Sequence, residues 1–228
     1  MGDISFSEQK FLRVKFGQLR MVLDRGYAIE EDEQLFYDDP TEDMFYDVYE
    51  DFESLNRLYE HPTKGLLYVR YIEEVKKVYL GKEVVQLFVS EYLQKKANRG
   101  ILISEQDLSQ QGRQILEREG TYLQHFLIDE LLIDITVGQD VSKHELLSPE
   151  ESKKYIAQMS QGLVGSSVLP HQMPKIFISE AVGKTKRFSS DPQAKYLGAL
   201  PGEIIRVTRL NNYSETLVPA HIIHRIVY

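Results

Sequence analysis

Between Asp191 and Tyr228 the chain carries so many backbone-directing residues that few paths remain open to it. Asp191 suits a helix N-cap, Pro192 the first helical position, and Gly198 the left-handed residue after a last turn. Pro201 and Gly202 stand in the order a type II turn requires, a fixed φ and then a positive one. Glu203 to Arg209 reads as a strand and Ile222 to Tyr228 as its partner. A short helix, a tight turn and a hairpin are therefore expected from local chemistry alone.

The chain has 228 residues, enough for one large or two ordinary domains with a full core. It has no Cys, which excludes a disulfide framework and a thiolate zinc site. No apolar run approaches the ~20 residues of a membrane span. The start, Met1 to Phe6, lacks the basic region and apolar core of a secretory signal, so a soluble intracellular protein is expected. Charge is unevenly placed. Residues 1–140 hold 16 Lys and Arg against 28 Asp and Glu; residues 141–228 hold 11 against 7. Most of the deficit falls between Glu30 and Glu60, where Arg57 is the one basic residue. A free-standing nucleic-acid binder is usually basic, because phosphate neutralisation supplies much of its affinity. If this chain lies near DNA, it does so within a larger basic assembly.

Ser5 to Glu8 has the form of a capping box, and Leu12, Phe16, Leu19 and Leu23 follow at helical spacing up to Gly26. Residues 30–63 are acidic and weakly periodic, with enough aromatic rings that part of the segment should pack. Strands are expected at Gly65 to Arg70, Gly100 to Ser104 and Leu131 to Ile135, and helices at Val85 to Leu93 and Ser109 to Glu119. That β-α-β-α-β order argues a layered α/β domain. Gly138 to Asp140 marks a boundary, giving domains at 1–139 and 140–228. Beyond it, Val141 to Leu147 reads as an edge strand, Ser148, Pro149 and Glu151 as a strong helix start, and Lys175 to Ser179 as a further strand.

Several constellations invite chemistry. Gly183, Lys184 and Thr185 imitate the end of a phosphate-binding loop, but the Gly required five positions earlier is Ile178, and a basic loop fits better. Glu74 and Lys76, with Asp43 or Asp47, imitate the ligand set of a metal-dependent nuclease; the plainer reading is a charged solvated face. His221 and His224 should point to opposite sides of a strand and cannot share a metal. His144 and His171 have no ligand partner at a known spacing, and His125 reads as half-buried structure. Arg206 and Arg225 fall on adjacent strands. One face of that sheet should pack on the helix opening at Pro149. The other would present basic and apolar groups together, as a partner interface does, or would be an ordinary solvated face.

Five places in collinear order resemble one family: Asp24 to Tyr27; Asp134 to Thr136 with His144 and Ser148 to Glu151; Met173 to Ile176; Asp191 to Gly198; and the closing hairpin. Together they resemble the fifth common subunit of eukaryotic nuclear DNA-directed RNA polymerases, whose C-terminal domain stands alone as a small subunit of the archaeal polymerase. The resemblance spans most of the chain except roughly residues 30 to 65. It implies a three-layer α/β/α N-terminal jaw domain with a nuclease-like core lacking an active site, and a two-layer α+β assembly domain ordered β-α-β-α-β-β. It implies a non-catalytic subunit with no cofactor, metal or small-molecule substrate, docked on the largest RNA polymerase subunit near the downstream DNA duplex. The interface residues would be His144, Tyr196, Arg206, Arg209 and Arg225; those near DNA would be Ser109, Gln110 and Arg113. The departures are about eight extra residues near 177–190, the acidic middle of the first domain, and Ser142 where cellular relatives have Pro. They fit a fast-evolving lineage, in the nucleus of a protist, or in the virion or host cytoplasm of a large DNA virus. A metal nuclease and a free-standing adaptor are the competing classes.

Overall fold

A computed structural model of the chain describes residues 6–73, 78–119, 122–137, 141–161, 172–178, 181–182, 187–188, 191–209 and 221–228. It divides into two compact units, Met1–Asp134 and Ile135–Tyr228.

The first unit opens with helix α1, Phe6–Asp24. The helix closes on Gly26 at φ 84°, whose N–H bonds Leu23 O (2.8 Å) while that of Tyr27 reaches back to Val22 O (3.1 Å). Its buried face differs from the expected stripe. Val14, Lys15, Gln18, Met21 and Val22 are fully buried together with Leu19, the one member of that stripe to be so, whereas Leu12, Phe16 and Leu23 are only partly buried. Apolar periodicity misses this face because two of its members are polar. Helices α2 (Glu31–Asp38) and α3 (Glu42–Val48) build the acidic segment. Phe36, Phe45 and Tyr49 pack there as a ring cluster with centroids 5.1–5.9 Å apart. A short 3-10 turn, Glu53–Leu55, then leads into strand β1, Arg57–His61.

Strand β2 is Gly65–Tyr71 and β3 is Tyr79–Leu80; then come helix α4 (Lys82–Gln94), strands β4 (Arg99–Ser104) and β5 (Asp107–Leu108), and helix α5 (Gln110–Glu119). Strand β6, Leu123–Leu127, and helix α6, Ile128–Leu132, complete the unit. The main sheet runs β1-β2-β4-β6, with β1 antiparallel to β2 and the other three strands parallel. Helices α4 and α5 cover one face through Val85, Phe88, Leu116 and their neighbours. Helix α1 covers the other, its Lys15 and Gln18 reaching Tyr59 and Tyr71, and Arg25 just past its end lies over Phe126.

In place of the strand expected at Leu131 to Ile135, Leu131 and Leu132 end α6 and the next three residues are neither helix nor strand; the sheet takes Leu123–Leu127. A short apolar run does not distinguish strand from buried helix. Here Glu130 decides, since its carboxylate accepts the N–H of Leu127 (2.8 Å) and holds the first turn. Leu131 then faces inward, and its carbonyl lies so near Gly17 of α1 that a Cβ there would stand 2.0 Å from it. Ile133 is 70% exposed, as no central strand residue would be.

The second unit contains β7 (Lys143–Leu146), α7 (Pro149–Gln161), β8 (Lys175–Ile176), β9 (Ala181–Val182), β10 (Arg187–Phe188), α8 (Pro192–Tyr196), β11 (Ile204–Arg209) and β12 (His221–Val227). The sheet order is β7-β11-β12-β8, with β8 parallel to β12. Its reading as a mixed fold of helices and strands holds, and β9 with β10 adds an antiparallel pair inside the extra stretch near 177–190. The local signals act as read. Asp191 Oδ1 accepts from Ala194 N–H (2.9 Å). Gly198, at φ 64°, ends α8 with Ala199 N–H bonded to Ala194 O (3.1 Å). Gly202 takes φ 91° as the turn closes from Glu203 N–H to Leu200 O (3.0 Å). Ser148 and Glu151 form the reciprocal cap of α7, at 2.9 and 3.2 Å. The backbone N–H of Ser148, and then its hydroxyl, hold the Glu151 carboxyl below its ordinary pKa.

Candidate functional site

Register decides what the second unit presents. Residues paired across a ladder share a face. Arg206 pairs with His224 and Glu145, so it lies on the face that carries Ile204 and Ile226, against Tyr155 and Ile156 of α7. Its guanidinium reaches Glu145 at 3.7 Å and Glu151 at 3.9 Å. His224 stacks on Tyr155 with centroids 3.9 Å apart, and burial, then the charge of Arg206, lowers its pKa. Arg225 pairs with Ile205 and so points to the opposite face, with Leu146, Val207 and His144. The expectation that Arg206 and Arg225 share one free face is therefore corrected. They sit at opposite parities of adjacent strands, and Arg206 belongs to the face packed on α7.

The other expected interface residues divide likewise. Arg209 is exposed at the end of β11, on the Arg225 side. His144 is half-buried there, its Nδ1 2.8 Å from Ser142 O. Tyr196 is 4% exposed and belongs to the interior of its unit. The apolar members of this face, Ile205, Val207 and Val227, are buried against Ile176, Ala194 and Ala199, so the expectation that it presents apolar and basic groups together is corrected: only its basic margin is left. The Nε of Arg225 is buried with no hydrogen-bond partner among the described residues. A guanidinium at the margin of a sheet, with its outer nitrogens free of the core, can pair with a partner's carboxylate.

In the first unit the loop between β4 and α5 lies at the carboxyl ends of the parallel strands, where open α/β sheets place their ligand-facing loops. Ser109 caps α5, its Oγ accepting from Gly112 N–H (3.2 Å), and Gln110 is exposed. The local acids are balanced. Arg113 is ion-paired with Asp107, and Lys10 reaches Glu105 (3.0 Å) and Asp129 (3.3 Å). Burial works against the charge of Lys10, but its bonds to those two carboxylates prevail and raise its pKa.

Beside that loop Ser104, His125 and Asp107 stand in the order of a hydrolytic triad. Ser104 Oγ is 2.7 Å from His125 Nε2, and His125 Nδ1 is 4.0 Å from Asp107 Oδ1. The array cannot act as one. Ser104 is fully buried and donates its hydroxyl proton to Gln106 O (2.8 Å), which leaves His125 Nε2 as the donor and no base for the serine. It ties β4, β6 and the loop together. No local pattern reveals it, because its three members come from separate elements.

The least anticipated feature is a buried ionic cluster under α1. Lys15 and Glu33 are both fully buried and 3.0 Å apart. Glu33 Oε1 also accepts the hydroxyls of Tyr49 and Tyr59, each at 2.9 Å. Lys15 Nζ further donates to Leu55 O (3.2 Å) and Tyr59 OH (3.0 Å), and lies over the rings of Tyr49, Tyr59 and Tyr71. Burial pulls the Lys15 pKa down to about 8, against the opposing pull of Glu33. Burial, and then the Glu33 charge, raise the pKa values of Tyr49, Tyr59 and Tyr71. Glu33 Oε2 has no partner among the described residues.

The nuclease-like pair Glu74 and Lys76, the Gly183–Thr185 motif and His171 lie outside the described residues. Asp43 and Asp47 are exposed on α3, and no group of three or more metal-binding side chains occurs among the described residues. No described helix is long and apolar enough to cross a membrane.

Comparison with known proteins agrees with this architecture. Residues 133–227 match the family described as RNA polymerase Rpb5, C-terminal domain. The chain is 24% identical to the Caenorhabditis elegans DNA-directed RNA polymerases I, II, and III subunit RPABC1, over 92% of this chain and 93% of the relative. It is also 24% identical to the Arabidopsis thaliana DNA-directed RNA polymerase V subunit 5A, over 99% and 92%. With the Sulfurisphaera tokodaii DNA-directed RNA polymerase subunit Rpo5 the identity is 34%, over 39% of this chain and 84% of the relative. Two nearly full-length relatives, and a shorter one similar over most of its own length, lead to one conclusion: the chain belongs to the RNA polymerase Rpb5 family.

Proposed function

We propose that this chain is the fifth, non-catalytic subunit of a multisubunit DNA-dependent RNA polymerase, and that it braces the largest subunit near downstream DNA. The observation that carries the reading is the family match across the second unit, where Arg225, Arg209 and His144 lie along the margin of a sheet face whose apolar centre is buried against Ala194 and Ala199. Domain 140–228 acts as the assembly domain through that face, and domain 1–139 as the jaw. Arg206 supports the platform from behind, joining Glu145 of β7 to Glu151 of α7. Ser109, Gln110 and Arg113 lie at the sheet edge nearest the DNA. Contact there is weak, since Arg113 is already paired with Asp107. The chain works in the nucleus if a cell encodes it, and in the virion or host cytoplasm if a large DNA virus does. Chemistry belongs to the assembly and not to this chain.

Charge reversal tests the docking face. Tagged full-length chain should recover the largest polymerase subunit, and Arg225→Glu with Arg209→Glu should reduce that recovery at least about tenfold without lowering Tm. Arg206→Glu should act mainly through Tm. Undiminished recovery in the Arg225 and Arg209 variant would contradict this face as the dock.

A further inference from the structure

Where β2, β4 and β6 begin, the first unit has a surface opposite in sign to its acidic helices. Helix α4 ends in the hydrogen-bond pattern that also ends α1 and α8: Lys96 N–H donates to Leu93 O (3.1 Å) and Ala97 N–H to Tyr92 O (3.2 Å). The left-handed position is Gly26 in α1 and Gly198 in α8, but Lys96 in α4, at φ 52°. A residue with a Cβ is strained there, and such strain marks positions where the side chain itself is used. Lys96 is held out in solvent beside Lys95, whose Nζ lies 5.1 Å above the ring centroid of Tyr68. Residues 92–104 contain no carboxylate. The neighbouring Glu91 is committed to Arg70 and to the hydroxyl of Tyr68 (2.9 Å).

Apolar groups surround these cations. Leu93 is 61% exposed and Tyr122 51%. Both are anchored at the strand ends: Tyr122 O accepts from Gly100 N–H (3.0 Å), and Tyr92, next to Leu93, donates its hydroxyl to Asn98 O (3.2 Å). Helix-dipole stabilisation would explain cations at the end of α4. It explains neither the strained backbone at Lys96 nor the large apolar groups left in water beside it.

We propose that this surface docks an acidic protein segment bearing an aliphatic or aromatic anchor. Its carboxylates meet Lys95 and Lys96, and the anchor lies on Leu93 and Tyr122. Charge complementarity selects this occupant, and the aliphatic Leu93 favours a side chain over a phosphate backbone, which has nothing to place there. The surface lies at the opposite end of the parallel strands from the loop of Ser109 and Arg113, so the proposal goes beyond the DNA-proximal reading.

The test is fluorescence anisotropy with the full-length chain. Three labelled probes are titrated: a short Asp-rich peptide with interspersed Leu and Phe, the same peptide with those residues replaced by Ser, and a DNA duplex of matched charge. The apolar-containing peptide should bind most tightly, and Lys95→Glu with Lys96→Glu should weaken it at least about tenfold. Lys96→Gly relieves the backbone and removes one charge, so it should raise Tm while weakening peptide binding several-fold. This variant keeps the test decisive if the double reversal misfolds. No peptide binding, equal binding of the Ser peptide or the duplex, or unchanged affinity in Lys96→Gly would overturn the proposal.

Discussion

The two units solve the same packing problem with opposite materials. In the first, Lys15, Gln18, Arg25, Glu33 and Ser104 are buried; among the described residues of the second, no polar or charged side chain is. The second unit closes its sheet over Ile, Val and Ala, and fixes its chain path with local devices: an Asp cap, a Gly after the helix and a Pro-Gly turn. The first joins α1, α2, the middle of β1 and the end of β2 through one Lys–Glu pair and three tyrosines. Local devices can be read from a few adjacent residues, and the family match falls where they are dense. An ionic cluster assembled from residues 15, 33, 49, 59 and 71 leaves no such trace.

This contrast can be broken experimentally, and the largest effect is expected at the ionic cluster. Lys15→Met should destabilise the first unit by about 3–5 kcal/mol, because it removes the buried cation at 3.0 Å from Glu33 and leaves that carboxylate only Arg57, at 3.8 Å, and two tyrosine hydroxyls. Adding Glu33→Leu should restore much of the loss. Urea unfolding with amide exchange in β1 and β2 measures both. A double variant as unstable as the single one would show that the cluster stabilises by more than mutual compensation.

Next in size is Gly17→Ala. Its Cβ would meet the carbonyl of Leu131, and displacing α6 from α1 should cost about 1–3 kcal/mol. An unchanged Tm would mean that the helices separate freely. The second unit should respond less. Gly198→Ala forces a Cβ into φ 64° and should cost about 1–2 kcal/mol. Asp191→Ala removes one cap from α8 and should cost about 1 kcal/mol. Effects at these two positions exceeding that of Lys15→Met would reverse the contrast.

The legibility of the sequence follows the same division. In the second unit the caps of α7 and α8, the turn at Gly202 and the order of elements were all open to local reasoning. The faces were not. Whether Arg206 and Arg225 share a side depends on register, and a shift of one residue exchanges every side chain between faces. In the first unit the parallel strands β2 and β4 and the helices α4 and α5 were legible from periodicity. Strand β6 was hidden because Gln124 and His125 interrupt its apolar pattern, and α6 because Leu131, Leu132 and Ile133 resemble a buried strand. The core face of α1 was legible only at Leu19, because Lys15 and Gln18 do not count as apolar. His125 and Ser104 met only through the sheet.

The central claim is that this chain is an integral part of a polymerase. Its most direct test is affinity purification of the tagged full-length chain from its source, with nuclease treatment and moderate salt, followed by quantitative mass spectrometry. The account predicts that the two largest polymerase subunits are recovered in equal molar amounts with the chain. Recovery of the chain alone, or loss of both large polypeptides on nuclease treatment, would contradict it.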